Sequence, residues 1–595
     1  MTRKKKYCLV TTAEERTWPK DKKQSVLFLG EWCRRYSRKE VWQQLNAEVV
    51  PYHWDDREKL FKDYQYLQEL YEKLLVELSD KLNKIHLVDH SPRYWRILIG
   101  LWLGYFMQML FDRWFMLKQT IEKEAISECS IIERDPMSIV PNDMQQFSKQ
   151  FVDDDWNEAI YGQLLELSWA EVVNVKKIQT PSVDNKCSES TSLGLKATVK
   201  RNVKKWIPLF NKLFPKDDGY FFISSYLPLK TDFKLQVRLG QFPKLWRSQP
   251  APIIQAAIQQ RQWRLDEKVS VDCSFEDVVR QLIPLHIPTA YLEGYEQLVA
   301  TADLLSWPKK PKTIFTSNAY SGDDLFKVWA AEKTESGTTF VIGQHGGHFG
   351  MTPFAFYEEH QINIADQWLS WGWSDSVRPQ IIPIGNLKAM GKDVNHDPRG
   401  GALMVEMTMP RYSYHIYAAP VSSQWLDYFQ DQQLFLSSLP KELCEKVLLR
   451  LYSQDYGWDQ VARWKDSNLD VQYDDGKEDI RALIRKSRLY ISTYNATTYL
   501  ESLTWNVPTI IFWNPAHWKL SEQAKPYFNQ LKTVGIFHET PESAAQQMVR
   551  VWDDVETWWN SDSVQKARVE FCEQYARTSE KLLDELQYFF KKNKK

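Results

Sequence analysis

From about residue 311 onward the sequence alternates short apolar runs with amphipathic stretches, and that alternation restricts the fold to parallel α/β sheets. The apolar runs are Thr313–Thr316, Thr339–Ile342 and Trp368–Gly372, and each reads as a strand. After Asn386 comes a loop rich in Gly, Lys, Asp, Asn and Pro, and the alternation then restarts at Ala402–Glu406. It continues through Lys446–Leu451, Arg488–Ser492 and Pro508–Trp513. A restart after a polar linker predicts a second sheet domain, with a hinge near Met390–Gly400. The expected organisation is therefore an α/β chain of two Rossmann-like domains facing a cleft. Residues 1–390 form the first domain, with helical insertions over about 40–310, and residues 391–595 form the second, ending in helices.

The N-terminal part supports this reading less regularly. Tyr7–Thr12 and Ser25–Gly30 are strand candidates. Arg57 to Leu82 places Leu60, Tyr64, Leu67, Leu70, Tyr71, Leu74, Leu75 and Leu78 at helical spacing. Tyr94 to Lys118 predicts a second, more buried helix. Its run Leu98–Phe111 is shorter than the roughly 20 apolar residues that span a bilayer, and Asp112-Arg113 interrupts it. The polar stretch from about Gln179 to Leu195 reads as a surface loop.

Bulk properties exclude several classes. The net charge is −1, from 76 basic and 77 acidic residues, so the chain lacks the basic footprint of a nucleic-acid binder. Basic clusters at Arg3–Lys6 and Lys591–Lys595 read as solvated ends, with weak contact to an anionic membrane as the alternative. Seven scattered cysteines without CxxC spacing predict neither a disulfide framework nor a zinc site. The start has no apolar segment of the secretory kind. The expectation is a cytoplasmic protein, with peripheral contact at the inner membrane as an alternative.

Two segments concentrate polar chemistry at strand ends, where open α/β sheets bind ligands. Phe340–Gly350 runs from a strand into a glycine-rich turn holding Gln344, His345, Gly346 and His348. Glycines admit a ligand close to the backbone, and a histidine can act as a general base or as a phosphate donor. Leu489–Leu503 reads as strand, hydroxyl-rich turn and helix start. An anion fits such a helix start, with Thr493, Asn495, Thr497 and Thr498 as side-chain donors and Glu501 as a ribose acceptor. The bland alternative is an ordinary Thr/Asn cap.

Arg411 and Arg450, each shortly after a second-domain strand, are candidate phosphate contacts. Asp55, Asp56, Arg57, His90 and Asp112 lie in aromatic surroundings and are candidates for a sugar-binding wall, Asp55, Asp56 and Asp112 also for a carboxylate nucleophile. Asp55-Asp56-Arg57 can equally open a helix. No dense ligand cluster predicts a metal, and no cofactor beyond the substrate is expected.

The order of these segments resembles a family of transferases from bacterial O-antigen and capsule gene clusters. The resemblance covers nearly the whole chain. It rests on Phe28–Cys33, Tyr52–Arg57, Arg93–Gly100, Gly343–His348 and Ile510–Pro515. More distantly, Gln344-His345-Gly346 and the Ser492–Thr498 turn followed by Pro508–Phe512 resemble GT-B enzymes of capsule and teichoic-acid synthesis. These are of the CDP-glycerol glycerophosphotransferase and CMP-Kdo transferase type. In those relatives the histidine is at or near the chemistry and the hydroxyl turn holds the nucleotide phosphate.

The resemblance implies a metal-independent GT-B glycosyltransferase of surface-polysaccharide synthesis, with a CMP-linked ulosonic acid (Kdo or a nonulosonic acid) as donor. Its partners are then a nucleotide-activated sugar and a glycan or lipid-linked glycan acceptor. A CDP-linked polyol-phosphate transferase and a non-catalytic glycan- or nucleotide-binding protein are the alternatives. One departure stands out. Several relatives carry His-Pro after the middle strand of the second domain, where this chain reads Arg450-Leu451-Tyr452-Ser453-Gln454.

Overall fold

The computed structural model describes residues 5–179, 218–265, 274–390 and 394–592. The polar stretch beyond Gln179, and residues 391–393 of the expected hinge, lie outside them.

Three sheets organise the chain, every strand pair in them parallel. The first contains β1 (Lys6–Val10), β2 (Ser25–Phe28), β3 (Asn46–Val49), β4 (Ala125–Glu133) and β5 (Asn174–Gln179), in the order β3-β2-β1-β4-β5. The second contains β6 (Tyr220–Ile223), β7 (Thr313–Thr316), β8 (Thr339–Gly343), β9 (Gln367–Ser370) and β10 (Ile381–Pro383), in the order β10-β9-β8-β7-β6. The third runs β13-β12-β11-β14-β15-β16. Its strands are β11 (Gly401–Val405), β12 (Val447–Arg450), β13 (Gln472–Asp474), β14 (Ser487–Ser492), β15 (Thr509–Phe512) and β16 (Phe537–His538). The second and third sheets are the pair expected from the alternation. The first differs from expectation: the 40–310 stretch, read as helical insertions, carries β3 to β6, and residues 5–179 build a sheet of their own.

The helix Arg57–His86 begins where Asp56 accepts hydrogen bonds from the Glu58 and Lys59 amides, both 3.0 Å, and ends at Leu87 in the left-handed region. The next helix, Pro92–Lys123, starts with a Ser91 cap and a proline in its first turn. It is buried nearly all round, including Leu98 to Phe111, so the apolar run forms a core pillar. Among the described residues, no helix is long and apolar enough to cross a membrane.

One continuous apolar core joins all three sheets, from Leu9 to Ala576. The C-terminal segment returns from the third sheet to the second. After the helix Asp562–Tyr575, the Arg577 amide donates to the Trp371 carbonyl and the Asn386 amide donates to the Arg577 carbonyl, at 2.9 and 2.7 Å. The last helix, Leu582–Lys592, then lays Leu582, Leu586, Phe589 and Phe590 on the second sheet against Tyr220, Phe222 and Phe315.

Gly104 lies where the pillar meets the helix Phe356–Ile364. A Cβ there would fall 1.8 Å from Phe356 Cζ, inside a filled core. Gly104→Ala is predicted to destabilise the protein by about 1–3 kcal/mol through overpacking. Gly322→Ala, with nothing within 4 Å, serves as the near-neutral control. The urea unfolding midpoints of the two variants check this; equal midpoints would contradict the packing described.

Candidate functional site

The turn after β8 is held from within. Gln344 is buried; its Oε1 accepts from the Trp371 amide and from Trp373 Nε1, both at 3.0 Å, and its Nε2 donates to the Gly346 carbonyl at 2.8 Å. A side chain so occupied shapes the turn and has little left for a substrate. His348 follows with φ +64°, in the left-handed region, and Gly350 with φ +73°. Both oxygens of buried Glu358 accept from the Gly350 amide, at 3.1 and 3.2 Å. Burial pushes that carboxyl up to about 8, so it is largely protonated at neutral pH. Backbone held in such a conformation by its surroundings points to function.

His345 projects from this turn into a ring of aromatic side chains, with Phe349, Tyr357 and Tyr226 at centroid distances of 5.5, 5.7 and 6.0 Å. Its Nδ1 is buried and carries no partner. Burial lowers the imidazole to about 4, a hydrogen bond with the Ser317 backbone pulls it up, and the Lys388 charge pushes it further down. His348 is likewise lowered to about 4, by burial and by His345.

The opposing turn follows β14. Thr493 is buried and donates to the Val405 carbonyl at 2.8 Å, locking β14 to β11. Asn495 Oδ1 accepts from the Tyr499 hydroxyl at 2.9 Å, while its buried Nδ2 has no partner. The helix Thr497–Thr504 starts at Ala496, with no side-chain cap and no acidic residue in its first turn. The bland Thr/Asn cap is thus absent. The first-turn N–H groups and the positive end of the helix dipole are the kind of feature that can meet an anion.

The two turns touch. The Gly347 amide donates to Thr497 Oγ1 at 3.0 Å, and a Cβ on Gly347 would lie 2.3 Å from the Ala496 carbonyl carbon. Only glycine fits that approach. Beside it, Lys388, just past β10, pairs with Glu501 on the facing helix at 2.9 Å. Thr498 Oγ1 lies 3.3 Å from the Tyr494 hydroxyl. The structure therefore brings His345, Gly346, His348, Thr497, Thr498 and Glu501 to one cleft between the second and third sheets, with Thr493 and Asn495 beneath it. Lys388 was not singled out in the sequence. The available signal was a lone lysine directly after a strand and a Gly-Asn turn.

The other candidates fall elsewhere. Arg411 is buried, pairs with Asp154 at 2.5 Å, and donates to the Trp32 carbonyl and, at 3.1 Å, to the Tyr456 carbonyl. Arg450 is taken up by Asp474 at 2.8 Å and the Gly476 carbonyl at 3.1 Å. Asp112 is buried between His53 and Arg113, both at 2.9 Å. Asp56 is the helix cap described above. Arg57 donates to Gln424, the Ala419 carbonyl and the His517 carbonyl at 2.7, 2.8 and 3.1 Å. Asp55 accepts from Gln424 at 3.3 Å. His90 pairs with Glu335 at 2.6 Å and stacks on Tyr94. Among the described residues, no group of three or more His, Cys, Asp or Glu side chains is placed to hold a metal.

The second and third α/β sheets therefore meet through turns at the carboxyl ends of their strands, the arrangement expected of two Rossmann-like domains facing each other. The chain belongs to the LIC12162 family of transferases, whose profile matches residues 7–590. No curated protein matches it. Among solved structures it is similar to the S. aureus MnaA–UDP co-structure, with 8% identity over 63% of this chain and 97% of that one and a TM-score of 0.36. It is also similar to a variant of the wall teichoic acid polymerase TagF, with 12% identity over 68% and 98% and a TM-score of 0.31. Anabaena Alr3699/HepE in complex with UDP and glucose gives 12% identity over 63% and 98% and a TM-score of 0.34. Identities this low assign no substrate.

The depressed pKa values give a signed prediction. A histidine whose folded pKa lies near 4 is neutral at pH 7. Its stabilising contribution is present above the unfolded value of about 6.5 and is lost as pH falls toward 4. Ring-proton NMR of His345 and His348 is predicted to show midpoints near 4. Midpoints at or above the ordinary value would contradict the burial described.

Proposed function

We propose that this chain is a glycosyltransferase that moves a sugar from a nucleotide-activated donor to a bacterial surface polysaccharide or O-antigen, with a CMP-linked ulosonic acid as the favoured donor. The observation that carries this reading is the uncapped start of the Thr497–Thr504 helix facing the His345 turn. The donor phosphate lies at that helix start, its charge met by first-turn N–H groups and the Asn495 amide. The ribose hydroxyls take Glu501, and Lys388, freed from its pairing, turns to the phosphate. The acceptor hydroxyl oxygen attacks the anomeric carbon as the sugar–phosphate bond breaks, and its proton passes to the neutral His345 imidazole. The nucleotide leaves with the bonding electrons.

His345→Ala is predicted to lower turnover by about 100-fold or more, within the range general-base removal produces, with the variant still cooperatively folded at the assay temperature. Near-normal turnover would remove His345 from the mechanism. The donor is tested by thermal shift against CMP, CDP, UMP, UDP, GDP and dTDP, since a ligand that binds only the folded state raises the melting temperature. A shift with CMP alone supports the ulosonic-acid donor. CDP favours the polyol-phosphate alternative, and UDP or GDP keeps the enzyme class and overturns the donor. Silence from the whole panel favours a non-catalytic binding protein.

A further inference from the structure

A second concavity lies on the far side of the segment that follows the His345 turn. Its volume is about 780 Å³, within the size range of sites that enclose a small organic ligand. It sits at the carboxyl ends of β15 and β16, where Trp513 and Glu539 follow the strands, and is closed by the start of the Arg57–His86 helix. Pro353 and Phe354, a few residues beyond His348, form one wall. The Ser521 amide ties that wall down by donating to the Met351 carbonyl at 2.8 Å.

The lining has two parts. Phe61, 38% exposed and 5.2 Å from Phe354, is the aromatic ring that opens onto the cavity, and buried Phe354, Trp513, Trp518, Phe528 and Phe537 pack behind the lining. Around them stand three carboxylates and three amines, Glu58, Glu522 and Glu539 against Lys62, Lys519 and Lys525, so the site carries no net charge. Lys525 pairs with Glu522, and Glu539 pairs with Lys532 outside the lining. Lys62, Gln65 and Lys519 are exposed and make no side-chain hydrogen bond or ion pair among the described residues, Lys62 acting on Asp56 only through its charge.

We infer that this cavity is a saccharide-binding subsite, holding one or a few neutral sugar residues of a glycan chain. The exposed ring of Phe61 matches the C–H face of a pyranose, and donors at the rim match its hydroxyls. The absence of net charge disfavours a polyanion. A purely apolar chain would leave Lys62, Gln65 and Lys519 without a purpose, because pockets fix orientation through a few placed polar groups. This inference rests on the cavity itself and not on the nucleotide reading of the other site.

The test is saturation-transfer NMR and calorimetry on the full chain with maltotriose, chitotriose and mannotriose, and with decyl phosphate as the apolar-chain probe. At least one trisaccharide is expected to bind wild type. Phe61→Ala and Lys519→Ala, both at exposed positions that spare the fold, are each expected to weaken it at least 10-fold, with the response to the nucleotide panel unchanged. Three results overturn the inference: no trisaccharide binds wild type, a trisaccharide binds both variants as well as wild type, or decyl phosphate binds in preference and is lost in Phe61→Ala. Loss of nucleotide response with trisaccharide binding intact would sink the donor-site reading alone.

Discussion

The contact between Gly347 and Ala496 is the constraint on which the candidate site depends. Two backbone turns from different sheets meet there, close enough that a single methyl group would collide with the opposing carbonyl carbon at 2.3 Å. The hydrogen bond to Thr497 fixes the approach. With that contact in place, the imidazole of His345 and the uncapped helix start face the same space. The Gln344 bonds to the backbone of Trp371 and the indole of Trp373, and the Glu358 bonds to Gly350, keep the first turn in a conformation it would not hold alone.

The first sheet explains why the two halves of the cleft keep their spacing. The crevice at the ends of β1 and β2 is filled by Trp18 and Trp32, whose indole N–H groups donate to the Thr12 and Thr11 carbonyls at 3.1 and 3.0 Å. This sheet instead grips the long loop after β11. Asp154 takes both Arg411 and the Tyr412 hydroxyl at 2.5 Å, Gln108 accepts from the Ile416 amide at 2.6 Å, and Gln424 donates to the Trp54 carbonyl at 2.9 Å. The same loop bridges to the second sheet's domain, where Tyr417 pairs with Ala355 and the Ala418 amide donates to the Phe354 carbonyl at 3.1 Å. Losing one partner of a buried ion pair such as Arg411–Asp154 leaves an uncompensated charge, so the N-terminal sheet acts as a splint for the cleft.

Much of the frame was legible in the sequence, because buried parallel strands read as continuous apolar runs. The strands β7, β8, β9, β11, β12, β14 and β15 each fall on a run named from the pattern of apolar residues. The strands β3 and β5 escaped notice for a physical reason: they are edge strands with half-polar patterns, as in Asn46-Ala47-Glu48-Val49. The turn residues around His345 and Thr497 were legible because glycine and hydroxyl clusters at strand ends have local causes. The fate of the charged side chains was not. Arg411 reads as a free phosphate ligand until its partner appears, and Asp154 lies 257 residues away. Likewise Asp112 is consumed by His53 and Arg113, and Arg450 by Asp474. A long-range partner leaves no trace in a local window.

The central claim is that the two touching turns form one nucleotide site. Hydrogen–deuterium exchange with and without a saturating nucleotide from the panel tests it most directly, because both turns expose backbone amides to the same ligand. The account predicts slowed exchange in peptides covering 343–350 and 493–500 together, with the ends of β1 and β2 unchanged. Protection at the first sheet, or at only one of the two turns, would contradict it.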